Sequence, residues 1–265
     1  AARELSSLLR QTGTTEMFDF TGGKLSLYVI KLDETAPIID KTLIEAAKEN
    51  NELEYRAVAI TRNGKTIIPR GNDVFKPNDI VYVITNPKGI KNLMKYSGKK
   101  QYDVKNIMIL GGSRIGEKTS RQLEKDFHLK LIEIEKARCI ELAESLSKTL
   151  IINGDGRDIE LLQEEGIEKM DAFIAVTGNS ETNILSCLLA KSMGVKKVIA
   201  EVENIDYIDL AENIGIDTII NKKLIAASYI FRFTMNAEVS SIICLTAADA
   251  EVLEFIAPKN SRIVK

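Results

Sequence analysis

The chain has 265 residues, room for about two domains, and its 36 basic and 38 acidic residues leave a net charge of −2. That balance argues against a general nucleic-acid binder, which would carry a basic excess, and no nucleic-acid partner is expected. No apolar stretch approaches the ~20 residues that span a bilayer, and three widely spaced cysteines, Cys139, Cys187 and Cys244, suit a reducing cytoplasm better than a disulfide framework or a metal site.

The first residues, AARELSSLLRQ, lack the apolar core of a signal peptide and have helical composition, with Leu5, Leu8 and Leu9 on one face. Residues 1–14 read as the tail of a preceding unit. Residues 15–98 turn β-rich and predict a small α+β domain. Leu25–Leu32 alternates as Leu25, Leu27 and Val29, and Asp40–Glu49 reads as a short helix with Leu43, Ala46 and Ala47 inward. Arg56–Thr61 and Thr66–Pro69 predict a hairpin around Asn63-Gly64, residues that supply the positive φ angles of a tight turn. A turn at Phe75–Asp79, the strand Ile80–Thr85 and a helix over Ile90–Tyr96 close the domain, and Ser97–Asp103 reads as a polar linker.

Residues 104–221 repeat strand and helix, the pattern of a doubly wound α/β sheet. The apolar run Asn106–Leu110 is followed at once by Gly111-Gly112-Ser113-Arg114-Ile115-Gly116, then by a helical stretch, then by a second strand, Leu129–Ile134. This is the order of a βαβ dinucleotide-binding unit. Gly111 would turn the chain, Gly116 would let the helix pack closely, and the helix start would present N–H groups to a pyrophosphate. Glu133 falls 22 residues after Gly111, at the end of the second strand. A carboxylate there accepts ribose hydroxyls and repels a 2′-phosphate, which favours NAD(H) over NADP(H). The middle glycine of the fingerprint is Ser113, whose hydroxyl could donate to phosphate. The alternative is a plain α/β unit whose glycines only make a tight turn. Strands at Thr149–Asn153, Ala172–Thr177, Val198–Glu203 and Thr218–Ile220 complete the sheet.

Residues 222–237 form a helix apolar most of the way round, with Leu224, Ile225, Ile230, Phe231 and Phe233. Such a helix must be covered on several sides, and the reading favours another subunit in a dimer over its own core. Residues 238–265 predict the strands Ser241–Thr246 and Glu251–Ala257. They echo the start of the first domain: a strand, a small-residue turn and an apolar pair occur in both Gly23–Ile39 and Ala250–Val264. The chain opens without methionine and stops within an apolar run, as expected of a piece of a longer protein.

These motifs together resemble the TrkA family, the nucleotide-binding regulatory subunits of bacterial Trk-type potassium uptake systems, over nearly the whole chain. Residues 15–98 resemble the carboxy-terminal half of an RCK module, notably in Ala59–Gly64, Ile68–Gly71 and Asn78-Asp79. Residues 104–221 resemble the Rossmann half, notably in Gly154–Asp158 and Val176–Asn183. The family repeats both halves twice, so residues 238–265 would begin a second carboxy-terminal half. The resemblance implies a bound nucleotide, NAD(H) or alternatively ATP or ADP. It also implies RCK assembly, a membrane-embedded Trk-type potassium channel subunit as partner, and a place at the cytoplasmic face of the plasma membrane. The candidate site is Gly111–Gly116 and Glu133, with Asp155 and Gly156 at the adenine edge, Thr177 and Gly178 at the switch point, and Glu181 and Asn183, which could equally be ordinary first-turn residues. Where the family has a ligand-facing arginine, this chain has Glu201, an acid that would repel phosphate.

The expected class is a regulatory switch, not an enzyme. The only histidine, His128, falls in a turn on the side of the sheet away from the switch point, so no histidine-based catalytic triad can be assembled. The rival readings are an NAD-dependent oxidoreductase and a scaffold subunit with a vestigial site.

Overall fold

In the computed structural model the described residues are 16–20, 24–48, 55–86, 89–99, 102–234, 239–245, 250–258 and 260–262, with Leu5 and Leu9. The chain divides into two compact units, one of residues 1–12 and 102–222, the other of residues 13–101 and 223–265. No helix among the described residues is long and apolar enough to cross a membrane.

The second of these units is built on an antiparallel sheet. Its strands are β1 (Glu16–Phe20), β2 (Leu25–Lys31), β3 (Tyr55–Arg62), β4 (Lys65–Ile67) and β5 (Ile80–Thr85), ordered β1-β2-β5-β3-β4, with helices α1 (Leu43–Lys48) and α2 (Ile90–Tyr96). Asn63 and Gly64, both at positive φ, make the predicted two-residue turn, pairing Arg62 with Lys65. The first helix is shorter than the sequence suggests. Asp40 has φ 62, which ends any helical run, and α1 starts only after Thr42, whose hydroxyl accepts the Glu45 N–H while Glu45 reaches back to the Thr42 N–H. Ala46 is buried, but Ala47, expected inward, is exposed. Asp79 is fully buried and receives both Nε and Nη2 of Arg62 at 2.7 Å and the Lys76 N–H at 2.8 Å.

The sheet is buried on both faces. One face packs Tyr28, Ile30, Ile60, Val81 and Val83 with α2. The other packs Phe20, Leu27, Val29, Ala59 and Tyr82 with Leu245, Ala250 and Val252, from the antiparallel hairpin of β12 (Val239–Cys244) and β13 (Glu251–Phe255). This hairpin repeats the register of β1–β2: Phe18 pairs with Leu27, and Ile243 pairs with Val252, each member 225 positions further on (18 to 243, 27 to 252). The echo read in the sequence thus has the same strand pairing in both copies.

The other unit has a parallel sheet of six strands among the described residues. They are β6 (Asn106–Leu110), β7 (His128–Glu133), β8 (Thr149–Asn153), β9 (Ala172–Ala175), β10 (Lys197–Glu201) and β11 (Thr218–Ile220), ordered β11-β10-β9-β6-β7-β8. Strands buried on both faces read as continuous apolar runs, as Asn106–Leu110 does. The crossovers are α3 (Arg114–Leu123), α4 (Lys136–Ser145), α5 (Ile159–Glu164), α6 (Ser180–Ser192) and α7 (Ile208–Asn213). The strand order reverses between β6 and β9, which opens a crevice at their carboxyl ends. The helix α8 (Lys222–Thr234) follows. Its Leu224 and Ile225 are half-buried and Ile230 is 64% exposed, while the side chains of Phe231 and Phe233 lie outside the described residues. Leu5 and Leu9 are helical and buried; Leu8 lies outside the described residues.

Candidate functional site

A cleft of about 540 Å³ opens at the carboxyl ends of β6, β7, β8 and β9. Its floor is Gly111, which leaves β6 at φ +105, a conformation that side chains rarely adopt. A Cβ on Gly111 would lie 3.0 Å from Thr177 N and from Val176 C and O, so the chain here passes backbone against backbone. A Cβ on Gly116 would overlap the Gly111 carbonyl oxygen, which is why α3 can start so close to the strand.

Ser113 caps α3. Its Oγ accepts the Gly116 N–H at 3.3 Å and donates to the Val176 carbonyl at 2.8 Å. The hydroxyl proton, expected to be available to phosphate, is therefore committed to β9's loop, and Ser113 ties the two crevice walls together. The N–H groups of Ser113, Arg114 and Ile115 have no acceptor among the described residues. They are the open donors that begin every helix, and the positive end of the helix dipole lies behind them.

Glu133 lines the cleft beside the glycine loop. Its Oε2 accepts the Gly112 N–H at 2.7 Å and its Oε1 the Glu135 N–H at 2.8 Å. Each carboxylate oxygen keeps a further lone pair, so a ribose hydroxyl can still be accepted. Asp155 lies at the third wall, bonded to the Arg157 guanidinium and to its backbone N–H, which together hold the Asp155 carboxyl below the usual range. Gly154 and Gly156 line the same wall, where side chains would run into Leu161 and Leu110.

Of the residues singled out in the sequence, the cleft brings together Gly111, Gly112, Ser113, Glu133, Asp155, Gly156, Thr177 and Gly178. Arg114, Ile115 and Gly116 belong to the adjoining helix start, with the Arg114 side chain exposed. Glu181 and Asn183 do not line the cleft. Glu181 is exposed on the first turn of α6. Asn183 is 1% exposed and acts beneath the wall: its Oδ1 accepts the Thr177 N–H at 3.0 Å and the Thr177 hydroxyl at 2.6 Å, and its Nδ2 donates to the Glu201 carbonyl at 2.8 Å. It fixes Thr177 and joins β9 to β10.

Glu201 does not face the cleft either. It is 2% exposed and pairs with Lys222 Nζ at 2.6 Å, the lysine also reaching Glu203 at 2.6 Å. Burial raises the Glu201 carboxyl above its ordinary range, opposed by Lys222, and the two acids raise Lys222 in turn. The repulsion of phosphate expected from Glu201 is thus absorbed by an ion pair. His128 is exposed at the amino end of β7, its Nδ1 3.2 Å from Asn106 Oδ1, away from the cleft.

Arg138, Arg157 and Asn179 are among the cleft residues outside the predicted set. Arg138 on α4 donates from Nε to the Gly112 carbonyl at 2.8 Å and is also bound by Glu117 and Glu141. Arg157 lay within a quoted motif without a role. Asn179 caps α6 through the Thr182 N–H at 2.6 Å, a role that an asparagine before an apolar helical run signals.

The TrkA-C domain matches residues 27–98 and the TrkA-N domain residues 107–222. "Trk system potassium uptake protein TrkA homolog 2" of Methanosarcina mazei is 36% identical over 267 residues, covering 99% of this chain and 58% of the relative. The TrkA protein of Halomonas elongata is 31% identical over 258 residues, covering 97% and 56%. The chain therefore spans a little over half the length of these relatives. Among solved structures, the GsuK channel superposes with a TM-score of 0.58 at 16% identity, covering 89% of this chain and 44% of that one. The GsuK channel bound to NAD gives 0.56 at 18%, covering 86% and 41%. At such identity these likenesses speak for the fold. With a TrkA-C and a TrkA-N domain in succession and TrkA proteins aligned along nearly all of it, the chain belongs to the TrkA family.

Proposed function

We propose that the cleft binds NAD(H), with ATP or ADP as alternative ligands, and that the chain is part of a nucleotide-sensing regulatory subunit of a Trk-type potassium uptake system. The observation that carries this is the placing together, at one cleft, of the open N–H groups at the start of α3 (Ser113 in the lining, Arg114 and Ile115 adjoining it) and the Glu133 carboxylate. The first suits a pyrophosphate and the second a ribose. A related fold is known with NAD bound, and the relatives are named for potassium uptake. The ligand's part is to bind one arrangement of an assembly more tightly than another, since only differential affinity shifts an equilibrium. Residues 222–237 are the proposed contact between copies, and a membrane-embedded channel subunit at the cytoplasmic face is the proposed partner. No turnover is expected.

Isotherms for NADH, NAD, ATP and ADP on one preparation test the reading. Glu133→Ala should weaken NADH by about 1–3 kcal/mol by leaving ribose hydroxyls unpaired. Glu133→Gln should narrow the preference for NADH over NADPH. Unchanged NADH affinity in a folded Glu133→Ala protein would remove the ribose role, and metabolite-dependent NADH oxidation at ordinary enzyme rates of roughly 1–1000 per second would favour the oxidoreductase instead.

A further inference from the structure

Two successive peptides of the glycine loop are fixed from outside it. The N–H of Gly112 is held by Glu133 Oε2 at 2.7 Å, and the carbonyl of Gly112 is held by Arg138 Nε at 2.8 Å. In a trans peptide the carbonyl and the following N–H point in opposite directions. Holding the Gly112 oxygen therefore aims the Ser113 N–H, the first of the open donors. Arg138 is itself braced: Nη2 donates to Glu117 Oε2 on α3 at 2.7 Å and Nη1 to Glu141 Oε2 on α4 at 2.6 Å. Glu117 and Glu141, with Arg121 also on Glu117, make a charge-balanced cluster around Arg138 that leaves no net positive charge to attract a phosphate. What remains is orientation. Glycine is the residue whose flanking peptides flip most easily, and a flipped Gly112–Ser113 peptide would present a carbonyl oxygen where an anion requires a donor.

We propose that Arg138 is a positioning residue for the anionic part of the ligand, locking the Gly112–Ser113 peptide so that the N–H groups of Ser113, Arg114 and Ile115 are presented together. This rests on the nucleotide reading above. Because Arg138 acts on the phosphate-facing peptide and not on the ribose wall, its loss affects ligands with a diphosphate and spares those without one.

The test uses the full 265-residue chain with Arg138→Ala and Arg138→Lys. Lysine keeps the charge, but a single nitrogen cannot hold the Gly112 carbonyl and both glutamates in the guanidinium's fixed fork. In ligand-free protein, amide hydrogen exchange at Gly112 and Gly116, the loop N–H groups held by Glu133 and by Ser113 Oγ, should rise about tenfold in both variants, with the strands of the sheet unchanged. ADP affinity should fall about tenfold in both, and adenosine affinity, followed by NMR titration, should stay within about twofold. Unchanged loop exchange overturns the lock whatever the ligands do. Equal losses for ADP and adenosine, or wild-type ADP affinity in Arg138→Lys, overturn the positioning role. Failure of the unmodified chain to bind either ligand refutes the nucleotide reading and with it the role of Arg138 toward a nucleotide, while loop exchange still decides the peptide lock.

Discussion

Alanine at position 111 tests the cleft floor most directly. Gly111 has φ +105, and a Cβ there would stand 3.0 Å from three backbone atoms of Val176 and Thr177. A left-handed conformation costs an L-residue about 1–2 kcal/mol. Crowding adds about 1–3 kcal/mol, because backbone at the end of β9 yields only if β6 and β9 separate. Alanine recovers about 0.4–1 kcal/mol by narrowing the unfolded ensemble. The net expectation for Gly111→Ala is a loss of about 1–5 kcal/mol. Gly178 lines the same cleft but is outside the left-handed region and has nothing within 4 Å of a Cβ. Gly178→Ala should therefore be neutral or stabilising by about 0.4–1 kcal/mol. Denaturant unfolding of both variants, followed by circular dichroism, makes the comparison. Equal stability of the two proteins would refute the assignment of Gly111 to a backbone-limited turn.

Two further outcomes follow from buried polar groups. Asn183→Ala leaves the Thr177 N–H and the Glu201 carbonyl without their Asn183 partner, and leaves the Thr177 hydroxyl the 3.3 Å contact to the Asn179 carbonyl, so it should destabilise by about 2–4 kcal/mol in thermal melts; a loss below about 0.5 kcal/mol would mean that water replaces the clamp. Lys222→Met strands the buried Glu201 carboxylate and should cost about 3 kcal/mol near neutral pH. Burial already raises the Glu201 carboxyl, so the folded state takes up a proton more readily than the unfolded chain, and the deficit should shrink as pH falls through the raised folded-state value. Urea midpoints at about pH 5 and 8 should show this dependence, and adding Glu201→Gln should abolish it. A pH-independent deficit that Glu201→Gln does not rescue would assign the loss to packing.

The glycine loop was legible because the strand–loop–helix–strand order is local and Gly116 packs directly on the Gly111 carbonyl; the walls that limit Gly111 (Val176 and Thr177) and the hold of Glu133 on the Gly112 N–H come from other strands. Thr42 shows the limit of local reading, since periodicity runs the helix back to Asp40 and only the φ of 62 at Asp40 forbids it. The roles of Asn183, Glu201 and Arg138 depend on partners on other elements, 6 to 26 positions away. Glu201 was placed at the correct strand end but facing the wrong way, because its surroundings are set by β11 and by Lys222. In β2 the alternation of Leu25, Leu27 and Val29 suggested one buried face, yet Leu25 is exposed and Tyr28 and Ile30 are as buried on the other face as Leu27 and Val29. Both faces are covered, and no single-strand pattern reveals what covers the second.

The hairpin β12–β13 repeats the pairing of β1–β2 and meets it in one core, which makes each a stand-in for the other. Phe20 and Leu27 have Leu245 and Val252 as their positional equivalents, and all four pack in the same cluster. A chain with two interchangeable hairpins can exchange one with a neighbouring molecule and keep every strand pairing, which is the condition for domain swapping. Tethering within one chain corresponds to an effective concentration on the order of millimolar, so the intramolecular partner wins at working concentrations and loses when the protein is refolded from a concentrated denatured state. Size-exclusion profiles after dilute and concentrated refolding should differ accordingly, and identical profiles would show that Phe20 and Leu245 are not interchangeable after all.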